Sequence, residues 1–100
     1  MNGDGVRVGF LHMWYLYVLL CADGTYYTGI TKDTKRRLHE HNNTKRGAKY
    51  TKVRRPVSLV FRKSFESRSA AQKAEYAFKR HSHAQKKQIV EAQSWGPDNM

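Results

Sequence analysis

One hundred residues are expected to form one small domain with a modest core. Nineteen Lys and Arg stand against eight Asp and Glu, a formal charge of +11, which excludes a neutral or acidic protein. Self-repulsion on that scale calls for a polyanionic partner, most simply a phosphate backbone. The single cysteine, Cys21, excludes an intrachain disulfide and fits a reducing, cytoplasmic setting.

Residues 1–12 are Gly-rich and unpatterned and read as a flexible leader. The apolar run from Val8 to Ala22 holds two tyrosines, a histidine and a tryptophan, which suits neither a signal core nor a membrane span. Strand one is predicted from about Met13 to Cys21 and strand two from about Thr25 to Ile30. A three-residue loop, Ala22 to Gly24, joins them, with Gly24 in the left-handed position. That loop sets Leu19 opposite Tyr27 and puts Tyr17 and Tyr27 on one face as diagonal neighbours. Asp33 is expected to cap a helix reaching Asn42 or Asn43, and residues 43–55 form a basic loop around Gly47. Strand three follows Pro56, with Val57, Leu59 and Phe61 sharing the inner face. Ser67 or Ser69 caps a second helix, where Ser69 and Gln72 fit a capping box and Ala70, Ala71, Ala74, Ala77 and Phe78 form the buried stripe. After a break at residues 81–83, a third helix turns Ile89 and Val90 inward, and the tail over residues 93–100 is expected to be disordered. The domain proper is thus residues 13–92. The element order argues for one α/β layer of the α+β kind: a three-stranded, mainly antiparallel sheet flanked by about three helices.

Positive charge is concentrated in one stretch. Between Lys32 and Arg55 lie ten basic residues and two acids, and from Lys45 to Arg55 six basic residues and none. Such clustering marks a nucleic-acid surface. The histidines do not form a zinc site: His39 and His41 leave one helix in different directions, and His81 and His83 have no cysteine or acid at ligand spacing.

Tyr15-Leu16-Tyr17 on the first strand, Tyr27-Thr28-Gly29 on the second, Arg37 and His41 on the following helix and Glu75 on the next together resemble the GIY-YIG endonuclease domain. The likeness runs from about Trp14 to Glu91 and is greatest to small stand-alone bacterial members. Two positions depart from the pattern. The first motif lacks the family's glycine and isoleucine, and after Glu75 the one asparagine is Asn99, so the family's late-helix asparagine has no counterpart.

The resemblance implies a divalent-metal-dependent endonuclease that hydrolyses DNA phosphodiester bonds, as in repair or recombination. Tyr17 or Tyr27 would act as base, helped by the other. Arg37 and His41, four apart on one helix face, would meet the phosphate, the guanidinium holding two oxygens. Glu75 would be the single carboxylate ligand of Mg²⁺ or Mn²⁺, the rest of the shell being water and phosphate. Gly29 would allow close approach of a backbone or phosphate, or mark a bulge. Lys32, Lys45, Arg46, Lys49, Tyr50, Thr51, Lys52 and Arg54 would line the nucleic-acid surface, with Tyr50 available to stack on a base. The partner is DNA, branched or damaged forms included, with RNA and a protein partner left open and no membrane. The rival reading is a basic DNA- or RNA-binding module that keeps the fold without turnover.

Overall fold

A computed structural model describes residues 12–96. The expected leader lies outside the described residues except for His12, as do residues 97–100 of the tail. In chain order the elements are β1 (Trp14–Leu20), β2 (Tyr26–Thr31), α1 (Thr34–Asn43), α2 (Lys49–Lys52), β3 (Ser58–Phe65), α3 (Arg68–Lys79) and α4 (His83–Ala92). The three strands form one antiparallel sheet in the order β2-β1-β3. This is the expected α+β architecture, with one short helix, α2, inside what the sequence presents as a basic loop.

The hairpin follows from its loop. The Cys21 N–H donates to the Thr25 carbonyl at 2.8 Å, Gly24 sits at φ +84°, and Leu19 pairs with Tyr27. The register therefore brings Tyr17 and Tyr27 to one face, their ring centroids 6.4 Å apart.

Strand alternation then divides the core. Leu16 and Val18 face α3 and α4 and pack with Phe61, Ala74, Phe78, Ile89 and Trp95. Tyr17, Leu19 and Cys21 face the other way, packing with Val57, Leu59, Tyr27 and Leu38 of α1. Phe61 lies on the opposite face from the one its spacing predicts. The β1–β3 register slips between Val18 and Leu19, so that Val18 pairs with Phe61 but Leu19 with Leu59. Val60 is the extra residue of a bulge, and every side chain beyond it changes face.

Asp33 caps α1 as expected, accepting from the Arg36 N–H at 3.0 Å. Ser67, not Ser69, caps α3, accepting from the Ala70 N–H at 3.1 Å. The capping box falls instead on α4, where Ser82 and Gln85 hold each other's backbone N–H groups. Of the predicted α3 stripe, Ala71, Ala74 and Phe78 are buried, while Ala70 and Ala77 are half-buried. Trp95 corrects the disordered tail: it is 2 % exposed, edge-on to Phe78 at 5.3 Å between centroids. An indole of that size covers the end of the Phe78 cluster, and its apolar area holds residues 93–95 against the domain.

Candidate active site

Arg55 and Asn42 set where α1 lies. The Arg55 guanidinium donates to the carbonyls of His41 at 2.6 Å and Thr44 at 2.5 Å, supplying the cation that a helix C-terminus favours. Asn42 makes a reciprocal pair with the Val57 backbone, at 2.7 and 2.9 Å. The last turn of α1 is thereby fixed to the start of β3, and His41 is directed into the sheet face that carries Tyr17.

His41 is fully buried, and both ring nitrogens are engaged. Nε2 lies 2.8 Å from the Tyr17 hydroxyl, and Nδ1 lies 2.8 Å from Thr51 Oγ1 and 3.3 Å from the Ala48 nitrogen. Thr51 Oγ1 is also 2.9 Å from the Ala48 carbonyl. The Ala48 N–H can only donate, so Nδ1 is an acceptor, and the neutral ring carries its proton on Nε2 and donates it to the Tyr17 oxygen. The opposite tautomer, with Tyr17 donating to His41 and His41 to Thr51, would set Nδ1–H against the Ala48 N–H.

Thr51 corrects an expectation. It is 0 % exposed and meets no solvent, so it cannot line a substrate surface. Its hydroxyl sets the His41 ring instead.

Tyr17 is the hub of the other residues. Its ring meets His41 at 5.8 Å, and Tyr27 meets His41 edge-on at 5.1 Å. The Arg37 guanidinium lies near enough to the Tyr17 phenol to lower its pKa, and is oriented by Glu40 at 2.9 Å and the Arg46 carbonyl at 2.8 Å. Burial works against the Arg37 charge, but its bond to Glu40 and the nearby Tyr17 phenol outweigh that and raise its pKa. Glu75 comes from α3, which packs on the far side of β1 and β2. Its negative charge still contributes to the Tyr17 environment, and its carboxylate pairs with Lys79 at 3.1 Å.

The electrostatics of the pocket oppose ionisation. Burial pushes the Tyr17 phenol up to about 12, outweighing the nearby Arg37 guanidinium, which lowers it. Burial, with the nearby Arg37 charge, holds His41 down to about 4. Both groups are therefore neutral near pH 7. Both shifts oppose moving a proton from Tyr17 to His41, so the residues alone do not make an activated base.

Gly29 is a second correction. A Cβ there would stand 2.5 Å from the Tyr17 hydroxyl and 2.7 Å from its Cζ. The close approach that this glycine permits is made by the tyrosine of the neighbouring strand, and the bulge lies on β3 rather than at Gly29. Of the predicted nucleic-acid surface, Lys32, Lys45, Arg46, Lys49 and Lys52 are exposed. Arg54 is tied down by Asp23 of the hairpin loop at 3.0 Å and lies over the Tyr50 ring at 3.8 Å. Tyr50 in turn stacks on Tyr27, with centroids 6.0 Å apart. Sequence reasoning missed Glu40 and Ala48, whose roles depend on contacts that no local pattern announces.

Among the described residues no three His, Cys, Asp or Glu side chains cluster as metal ligands. A hard divalent ion is compatible with one carboxylate completed by water and phosphate oxygens, and Glu75, with 23 % of its side chain exposed, is open to such a ligand set. No helix among the described residues is long and apolar enough to cross a membrane.

Residues 13–88 match the model of the GIY-YIG catalytic domain. A UPF0213 protein of Desulfotalea psychrophila is 49 % identical over 83 residues, which cover 83 % of this chain and 76 % of that one. A UPF0213 protein of Halobacterium salinarum is 51 % identical over 77 residues, covering 77 % of this chain and 99 % of its own. Two solution NMR structures share the fold. A protein of E. faecalis has a TM-score of 0.56 at 49 % identity, covering 80 % of this chain and 84 % of that one. The UPF0213 protein of Bacillus halodurans has a TM-score of 0.53 at 40 % identity, with 87 % and 90 % covered.

Proposed function

This chain belongs to the GIY-YIG catalytic domain family, a nuclease-type fold, and on that premise we propose that it is a divalent-metal-dependent endonuclease cutting DNA phosphodiester bonds. One observation carries the proposal: the Tyr17 phenol lies 2.8 Å from a buried imidazole, with the Tyr27 ring beside it and the Arg37 charge close enough to act on it.

Tyr17 is the base and Tyr27 its neighbour in holding the water, because the Tyr17 oxygen is held by His41 Nε2, and a donor there favours the ionised phenol. Arg37, freed in part from Glu40, neutralises the phosphate. The Tyr17–His41 gap must narrow when substrate arrives. Phosphate charge favours protonated His41, and a cation favours ionised Tyr17. A divalent ion held by Glu75 would supply that cation and stabilise the charge on the leaving oxygen. The exposed lysines between Lys32 and Lys52 contribute salt-dependent affinity without sequence preference.

The test is supercoiled plasmid and branched DNA incubated with purified protein and Mg²⁺ or Mn²⁺. Nicking is expected, with Glu75→Ala and Tyr17→Phe each lowering it by about 100-fold or more while retention on DNA persists. Salt-sensitive DNA binding without cleavage of either substrate under either metal would overturn the proposal. The chain would then be a binding module on a nuclease fold.

A further inference from the structure

Beside the Tyr17 pocket, on the outer edge of β2, lies an open groove of about 210 Å³ lined by Tyr26, Tyr27, Thr28, Tyr50, Lys79 and Lys86. None of Tyr26, Lys79 or Lys86 takes part in the chemistry proposed above. We infer that this groove seats one unpaired nucleotide of a DNA strand, its base against the tyrosine rings and its phosphate on Lys79 and Lys86. The inference rests on the nuclease reading only in taking DNA as the ligand.

Three features support it. The aromatic walls are braced before any ligand arrives. Tyr26 stacks on His83 at 4.9 Å between centroids, and His83 Nε2 lies 3.1 Å from the Gly24 carbonyl of the hairpin loop. Tyr50 lies between the Tyr27 ring and the Arg54 guanidinium, so a base reaches a face of Tyr50 only by taking the place of Arg54, which keeps its Asp23 partner. Rings braced on one face lose little freedom when a base stacks on the other.

The cations lack a full set of partners. Lys79 has the Glu75 carboxylate at 3.1 Å, but no carboxylate pairs with Lys86 among the described residues. Burial and the Lys79 charge disfavour a second ammonium there, so an anion between the two lysines would relieve both.

The third feature is the combination of residues. A base inside a duplex has its faces covered by its neighbours, so only an unpaired base can stack on a side chain here. A phosphate on Lys79 would also compete with Glu75 for that ammonium, tying occupancy of the groove to release of the carboxylate.

The experiment is fluorescence anisotropy in EDTA, where no hydrolysis occurs. A blunt duplex of about 20 base pairs is compared with the same duplex bearing an unpaired tail of about four nucleotides, and with a tail whose bases are replaced by abasic sites. The tailed duplex is expected to bind about tenfold tighter than the blunt one, and the abasic tail to lose most of that gain. Lys86→Gln and Tyr26→Leu, alone and together, should reduce the preference for the tail and leave blunt-duplex affinity within about twofold. Lys86 is half-buried and belongs to neither apolar cluster, so its single variant reports even if Tyr26→Leu disturbs the fold. Equal affinity for blunt and tailed DNA, or variants that weaken both equally, would overturn the inference. A tail preference in a protein that nicks nothing upholds the groove and removes the nuclease; nicking without a tail preference does the reverse.

Discussion

His41 is fully buried, and burial together with the Arg37 charge lowers its pKa from the ordinary 6.5 to about 4. The folded value lies below the unfolded one. The neutral ring therefore contributes stability above about pH 6.5, and that contribution is lost as the pH falls from 6.5 through about 4. The loss is on the order of 3 kcal/mol. Urea unfolding midpoints should fall across that window, and His41→Gln should remove most of the fall. A variant that keeps the full decline would assign it to another group. Gly29 tests the same pocket sterically. Gly29→Ala sets a methyl against the Tyr17 hydroxyl at 2.5 Å, at the end of a rigid ring whose backbone is held in the central strand. It should cost about 1–3 kcal/mol in denaturant unfolding and disturb the Tyr17–His41 bond. An unchanged midpoint together with an unchanged His41 imidazole NMR signal would contradict the described packing.

The three longer helices among the described residues begin where a side-chain oxygen can reach the third backbone N–H, whereas α2 begins at Ala48 without a side-chain cap. Ser67 does so on α3, whereas Ser69 lies within the first turn and caps nothing. Ser67→Ala is expected to lower stability by about 1 kcal/mol and Ser69→Ala to leave it nearly unchanged, both read from thermal unfolding. The reverse order would relocate the start of the helix. The hairpin was legible because a three-residue loop fixes its own register, so Tyr17 and Tyr27 could be placed on one face from spacing alone. Strand three was not. The bulge at Val60 is stabilised by packing against two different layers, and nothing in the alternation of Val57, Leu59 and Phe61 signals it.

At the scale of the whole molecule, two apolar clusters on opposite faces of a three-stranded sheet leave little reserve, so each large side chain counts. Trp95 lies beyond the last helix yet is nearly fully enclosed with Phe78 and His81 around it. Trp95→Ala should cost about 3–5 kcal/mol in urea unfolding. A loss under about 1 kcal/mol would mean that the chain end packs elsewhere in solution.

Local rules, acting over a few residues, were enough to determine the type of every element but α2, which they read as loop, together with the Asp33 cap, the hairpin register and the shared helical face of Arg37 and His41. Charge density alone marked the lysines between Lys32 and Lys52, which are exposed, as the expected contact for a polyanion. The resemblance, rather than any local rule, proposed Glu75. Only tertiary structure decided that Thr51 is a buried partner of His41, that Gly29 makes room for a tyrosine, and that Trp95 completes the core. Each of these depends on what a distant segment places beside the residue. Hydrogen-bond satisfaction and volume filling are conditions on neighbours in space, and a linear pattern constrains neighbours only along the chain.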